Sequence, residues 1–389
     1  MDLQIALGKS AIVRIVLLGT IALGTFAGIT RLVAAQTPSP ALLITIQDPG
    51  ERALAIADPL TMKVVSSVPM VGEPHEVAVS ADGKLAFVTS RMPGPSEEEM
   101  TKPGNDYISV IDLAAQKELR RVETGPGSRP HGIVVAGGKV YFTCEGYQLI
   151  KRYDPARNLI DWELGIGQVH VHEIRITKDL NQIFTTNDNS DSVTAIEHLD
   201  SSAKSKVIGF DSHSPWKVTT IPVGHGPEGI AMSPDEKEVW ALHRRDGGVS
   251  IIDVAAKKVS QTLDLNTRAP VRAQFTPDGK RVIIADFFSG AVLILDAVTR
   301  KEIKRIALGK PAGDDHDFQV VDGDATLNGV PIVPAHKIEN LLIAPDGSQL
   351  YVDVMGSNRI DIIDLRTFEV TGSISVGRES EHLAWAERR

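Results

Sequence analysis

Cysteine is almost absent: Cys144 is the only one in 389 residues. An internal disulfide is therefore excluded, as are CxxCH haem attachment and any zinc or copper site built from paired thiolates. Neither a GxSxG nucleophile elbow nor a phosphate-cradling GxxxxGK[ST] loop occurs, and the glycines are scattered through turns. Aromatic residues make up only 5% of the chain, and the four Trp (162, 216, 240, 385) fall inside strand-like patterns, where core packing is expected. Positive charge is also in deficit, with 41 Lys and Arg against 50 Asp and Glu. An acidic body repels phosphate backbones, so no nucleic-acid partner is expected. Cys144 lies within YFTCEG, a strand pattern, and reads as a small buried hydrophobe.

Long apolar runs are confined to residues 15–29, behind the basic Lys9 and Arg14 and ahead of Val33, Ala34 and Ala35. That order is the pattern of a secretory leader cut after Ala35. The run is short for a membrane span of about 20 residues, so no stable span is expected once residues 1–35 are removed. Residues 36–389 are then expected as one secreted or periplasmic domain.

What fills that domain is a repeat. GEPHEVAVSADGKLAFVTS from Gly72, GPEGIAMSPDEKEVWAL from Gly226, APVRAQFTPDGKRVIIAD from Ala269 and IENLLIAPDGSQLYVDV from Ile338 read almost alike. Looser copies begin at Arg129, Val171 and Ser380. Each has the two-residue alternation of strands around a polar turn such as ADGK or TPDGK, where Gly takes positive φ at no steric cost. A later strand closes on an apolar-Asp phrase: VIDL at 110–113, IIDV at 251–254, LILD at 293–296, IIDL at 362–365. Seven β-rich copies at intervals of 41–68 residues predict an all-β, seven-bladed propeller of four-stranded antiparallel blades. The copy at Ser380 has room for a single strand, and ALLITIQ (41–47), RALAIAD (52–58) and KVVSSVP (63–69) supply three more. The last blade is thus expected to be built from both ends of the chain, which removes exposed sheet edges.

These phrases resemble the YVTN-repeat family of seven-bladed propellers. More distantly they are similar to the 6-phosphogluconolactonase-type lactonases, with which they share a PH-x-hydrophobic…S-x-DG-K/R pattern. The nearest counterparts of the YVTN phrase are FVTS (87–90), YFTC (141–144) and YVDV (351–354). The resemblance spans residues 41–389. It implies a propeller fold, and binding or lactonase activity as alternatives, but assigns no catalytic residue.

In a propeller the first strand of each blade lines the central channel. The residues heading those strands form a column of His75, His131, His172, Glu228, Val271, Glu339 and Glu381. The next column runs Glu76, Gly132, Glu173, Gly229, Arg272, Asn340 and His382. His170, His225, His316 and His336 lie on the incoming loops. His75, His131 and His172 head consecutive strands and are expected to form an open three-histidine metal site. His131 is read there as an exposed channel residue burying little apolar area. His with carboxylate suits Zn, Cu, Fe or Ni, whereas Ca or Mg favours carboxylates alone. Glu76, Glu173 and Arg272 are the catalytic candidates, the Glu to deprotonate water and Arg272 to polarise a carbonyl. Glu228, Glu339, Glu381, His382 and His316 are candidates for contacting a small ligand. On a regular strand Glu76 and Glu173 point away from the preceding His, which leaves their facing open. Three insertions, 91–106, 309–335 and 199–215, interrupt the pattern, the first two at the channel mouth. The expectation is a small-molecule site with a divalent metal and metal- or Arg-assisted hydrolysis of a lactone or ester. The alternative is a scaffold binding a protein or polymer around a hydrated channel.

If the leader is read correctly, N-terminal sequencing of protein exported by its native host begins at or near Gln36. Recovery of intact Met1 from cytosol overturns it.

Overall fold

The computed structural model describes residues 40–91, 106–199, 215–308, 319–321, 324–327, 330–331 and 337–386. The leader, His316, His336 and most of the three insertions lie outside them. Seven four-stranded antiparallel sheets are present. Blades one to six occupy residues 73–123, 130–165, 171–222, 227–264, 270–307 and 337–375, each running outward from its first strand. The seventh sheet joins Lys63–Pro69, Ala53–Asp58 and Ala41–Ile46 to Ser380–Ala386. A small three-stranded sheet (Gln319–Val321, Asp324–Leu327, Val330–Pro331) lies within the 309–335 insertion. Among the described residues no helix is long and apolar enough to cross a membrane. Among the described residues the only helical turns are two 3₁₀ segments, Glu145–Tyr147 and Asp188–Ser190.

The alternation that forms the strands also stacks the blades. Middle strands such as the aliphatic Ala291–Asp296 are buried on both faces, while outer strands such as Lys117–Glu123 alternate exposed and half-buried. Seven apolar clusters result, one at each seam between neighbouring blades, including the seams of the seventh blade with the sixth and the first. Cys144 is buried in the seam between blades one and two. Trp240 is fully buried, whereas Trp162, Trp216 and Trp385 are half-buried seam residues rather than deep core. The apolar-Asp phrases cap the outer hairpins: the carboxylates of Asp112, Asp296 and Asp364 each accept two backbone N–H bonds from the turn that follows.

Each inner strand carries a register shift at its head. The breaks fall between Pro74 and Val77, Pro130 and Ile133, Val171 and Ile174, Pro227 and Ile230, Pro270 and Arg272, Ile338 and Leu341, and Ser380 and Leu383. A bulge puts two residues opposite one and leaves the extra backbone unpaired. Threonines on the second strands take up that backbone. Thr186 Oγ1 accepts the N–H of Glu173 at 3.1 Å and donates to the carbonyl of Glu228 in the next blade at 2.7 Å. Thr45 does the same for His382 N–H (2.9 Å) and the His75 carbonyl (2.8 Å). Thr143 donates to the His172 carbonyl at 2.6 Å, and Thr89 accepts Glu76 N–H at 3.0 Å. Each hydroxyl therefore ties a bulge to its own sheet, a neighbouring blade, or both.

Replacing Thr186 with the near-isosteric Val strips partners from two buried backbone groups. A loss of about 2 kcal/mol or more is expected, at 1–3 kcal/mol per orphaned group, read as a lowered denaturation midpoint; unchanged stability refutes the clip.

Candidate functional site

The bulges decide which way the two columns face. Because the strand is irregular at their position, successive residues are not forced to opposite faces, and His and Glu from both columns meet inside the ring. His75, His131 and His172 stack in turn around the channel, the first pair edge-on and the second tilted, with ring centroids 4.1 Å and 3.9 Å apart. The stacking buries them: His131 is only 3% exposed. This corrects its reading as an exposed channel residue.

Arg272 of blade five reaches across to two carboxylates. Its Nη2 lies 3.0 Å from Glu76 Oε1 in blade one, and its Nη1 3.3 Å from Glu173 Oε1 in blade three. Arg175 adds a second guanidinium on Glu173 Oε2 at 3.0 Å. The two acids also share a hydrogen bond. Burial, followed by the charge of Glu173, holds Glu76 well above the usual carboxylate range. Burial pushes Glu173 the same way, but Arg272, the bond from Glu76 and Arg175 together hold it well below that range. Of the two acids, Glu76 is therefore held toward its neutral form and Glu173 toward its ionised form.

The remaining ring residues fall into local pairs. Glu381 Oε1 lies 3.2 Å from His75 Nδ1. Glu228 Oε2 takes a salt bridge from Arg244 Nη1 at 3.0 Å. Glu339 is raised by burial and by the charge of Glu228. His382 accepts the N–H of Val77 on Nδ1 at 3.4 Å and presents Nε2 to Glu76 Oε2 at 4.0 Å; burial, then Arg272, lowers it to about 3. His225 is apart from this cluster, exposed, and paired with Asp191 at 2.9 Å.

Among the described residues two groups of side chains bring ligand atoms within 4.8 Å of one another: His131, Glu145 and His172, and Glu76, His131 and Glu173. His75 belongs to neither. The second group already has a resident cation in the Arg272 guanidinium. In the first, Arg129 Nε stands 3.6 Å from Glu145 Oε2, and His172 Nδ1 lacks a hydrogen-bond partner among the described residues. Burial keeps His172 below the ordinary imidazole range, so it is neutral and has a lone pair to give.

Glu145 was missed in the sequence, as was Asp188. Both open the 3₁₀ turns that follow the second strands of blades two and three, one residue past the strand end. Their counterpart in blade four is Arg244. A column drawn at second-strand ends would have found them. His170, two residues ahead of His172, bonds both acids: Nε2 lies 3.0 Å from Glu145 Oε1 and Nδ1 3.1 Å from Asp188 Oδ2. Burial opposes its charge, but these two bonds outweigh it and raise His170 to about 9.

A Ser-His-Asp chain also occurs, in blade four. His243 lies between Asp246 (3.1 Å from Nδ1) and Ser250 (3.0 Å from Nε2). Its Nε2 also accepts the backbone N–H of Gly224, and both His243 and Ser250 are buried within the sheet. It therefore fixes the incoming loop and has no exposed nucleophile.

No family model and no curated protein matches the chain. Among solved structures it is similar to candidate 6-phosphogluconolactonases from Bacteroides uniformis and from Bacteroides fragilis. The first has a TM-score of 0.65 at 15% identity over 90% of this chain and 99% of that one. The second has 0.62 at 16%, over 90% and 98%. It is also similar to hydrazine synthase from Kuenenia stuttgartiensis, with 0.61 at 19% identity, over 88% and 99%. At these identities the likeness establishes the propeller fold.

The channel histidines set an acid limit to stability. His382 is near 6.5 when unfolded and about 3 when folded, so the unfolded chain binds the extra proton. Its contribution is complete above pH 6.5 and is lost as pH falls toward 3, at about 1.4 kcal/mol per pH unit. His382→Gln should remove that slope relative to the parent in urea melts from pH 7 to pH 4. Parallel curves count against a buried neutral His382.

Proposed function

We propose that this protein is an exported propeller that binds a divalent metal ion at His131, Glu145 and His172. Beside the ion it takes a small carbonyl ligand at the channel mouth, with hydrolysis of a lactone or ester as the activity. One observation carries the reading: two buried imidazoles and a buried carboxylate whose ligand atoms lie within 4.8 Å of one another. An ion held there supplies Lewis acidity to a carbonyl oxygen. The mixed nitrogen and oxygen donors favour a transition metal or zinc over Ca or Mg.

This chain's residues divide the other tasks. His75 is outside the metal group, is held by Glu381 at 3.2 Å, and is the residue placed to take a proton from attacking water. Arg272 is engaged by Glu76 and Glu173, so it fixes those acids instead of polarising a carbonyl. Hydrolysis adds water to the carbonyl carbon, breaks the acyl C–O bond and returns the proton to the leaving oxygen. The likeness to candidate 6-phosphogluconolactonases supports the choice of a lactone as substrate class.

The test is metal analysis of protein purified without added metal, then hydrolysis of a panel of small lactones and esters. About one ion per chain is expected, lost in His131→Gln while the fold, followed by circular dichroism, remains. Hydrolysis should fall at least 100-fold in His75→Gln, consistent with the scale of general-base catalysis. A folded His131→Gln that keeps its ion refutes the metal site. A parent with neither ion nor turnover leaves the ring as structure and returns the protein to the scaffold reading.

A further inference from the structure

We propose that Glu381 and Thr45, both in the seventh sheet, are positioning residues for His75. Glu381 keeps the imidazole proton on Nδ1, and the Thr45 hydroxyl fixes the two backbones that carry the pair. This rests on the hydrolytic reading above, in which His75 takes the proton of the attacking water. It adds two residues from the sheet that pairs Ala41–Ile46 with Ser380–Ala386.

Around the ring the strand-head column runs Glu381, His75, His131, His172, Glu228, three imidazoles with an acid at each end. Glu228 is engaged by Arg244 at 3.0 Å. Glu381 instead presents Oε1 to His75 Nδ1 at 3.2 Å, and both residues are buried. In a neutral imidazole one nitrogen carries the proton and the other the lone pair. A carboxylate at Nδ1 keeps the proton there, so the lone pair is on Nε2, where water can use it. A base oriented in this way by a third group is the common form of a histidine prepared for proton transfer. In the reaction the water O–H bond breaks, its oxygen bonds to the acyl carbon, and the proton passes to His75 Nε2. That proton goes on to the leaving oxygen as the acyl C–O bond breaks. Nδ1 keeps its own proton throughout, and Glu381 ends unchanged, having faced the cation formed on His75 in between. His131, a ligand in the metal reading, lies edge-on against His75 at a centroid distance of 4.1 Å, which sets the base beside that group.

Backbone contacts fix both partners. Thr45 is fully buried, and its Oγ1 donates to the His75 carbonyl at 2.8 Å. The same oxygen accepts the N–H of His382, in the peptide that follows Glu381, at 2.9 Å. One hydroxyl therefore joins the backbone of the base to that of the acid, across the seam between blade one and the seventh sheet. On the other side of Glu381, Ser380 Oγ donates to the buried Asp353 Oδ1 of blade six at 2.6 Å. The carbonyl of Glu379 accepts the Gln47 N–H at 2.9 Å. Glu381 lies in the break of its own ladder, between Ser380 paired with Ile46 and Leu383 paired with Ile44. These contacts, and not regular pairing, set its direction. Thr186 makes the same clip between blades three and four, where it joins Glu173 to Glu228, two acids held by arginines. At Thr45 the clip joins an acid to the imidazole it faces.

The test uses the full chain and the lactone or ester of the panel above that it hydrolyses fastest. The variants are Glu381→Gln, Thr45→Val, Thr45→Ser and the exposed control His225→Ala. Glu381→Gln and Thr45→Val should each lower kcat by about 10-fold or more through misplacement of the base. KM and bound ion should not change, since neither residue touches substrate or ion. Thr45→Ser, which keeps the hydroxyl, should recover most of kcat, and His225→Ala should match the parent. The imidazole nitrogen NMR signals of His75, assigned by their loss in His75→Gln, should report the Nδ1–H tautomer in the parent. In Glu381→Gln they should move toward Nε2–H, because the amide can donate to Nδ1. A parent that turns over, beside a Glu381→Gln that keeps both its kcat and its tautomer, shows that Glu381 does not position His75. Parental kcat in Thr45→Val, or no recovery in Thr45→Ser, removes Thr45 from the role; if Thr45→Val fails to fold, Thr45→Ser and Glu381→Gln decide. A parent without turnover overturns this role together with the hydrolytic reading.

Discussion

The bulge at the head of each inner strand is the constraint on which the rest of the ring depends. A regular strand allows only one of two neighbouring residues to face the channel. With the ladder broken, Glu76 meets Arg272 from across the ring while His75 beside it meets Glu381. The break leaves backbone groups without ladder partners, and buried orphans cost too much to tolerate. Threonine hydroxyls supply the missing partners and in doing so tie one blade to the next. The same local irregularity therefore places the chemical groups and helps to join the blades.

A ring so rich in buried charge must also balance. Pairing repays the desolvation of buried ions only when geometry is good and the remaining polar atoms are satisfied. Arg272 meets that condition by bridging Glu76 and Glu173, with Arg175 as a further partner for Glu173. Arg244 does so for Glu228. The quadrant of His131, His172 and Glu145 has no guanidinium at its centre; its nearest cation is His170, at the edge, with Arg129 at 3.6 Å from the other Glu145 oxygen. The difference between the two candidate metal groups is therefore one of occupancy by protein charge, and it separates a structural cluster from one able to accept an ion.

Much of this was legible in the sequence, for identifiable reasons. Alternation of period two, the ADGK-type turns and the apolar-Asp phrases are local signals, and they locate the blades because the same hydrogen-bonding problem recurs in each. The columns from His75 and Glu76 were visible because they follow the strand starts, four of which are marked by Pro (Pro74, Pro130, Pro227 and Pro270). The direction of their side chains was not, since a bulge is a relation between two strands and leaves no mark in either alone. Glu145 and Asp188 were hidden for another reason. They lie in TCEG and TNDN, just past the ends of second strands, and have no acidic counterpart in blade four, where Arg244 stands.

The seven blades share a backbone but differ at the two positions that face the channel, and the differences follow from contact between blades. A Cβ on Gly132 would sit 2.5 Å from the His172 carbonyl, and one on Gly229 2.1 Å from that of Val271. Those positions are small because the next blade's backbone occupies the space. At Glu76 and Glu173 an acid is accommodated, and each such acid, buried, then needs a cation. Blade five provides it by placing Arg272 opposite both. Its own strand-head position is Val271, an apolar residue that adds no further charge to an already paired cluster. Blades one to three keep histidine at that same position, so the imidazoles gather on one side of the channel and the guanidinium enters from the other. Asymmetry within a repeated scaffold is what makes a site out of a ring, and here it arises from which blades can accommodate a side chain and which cannot.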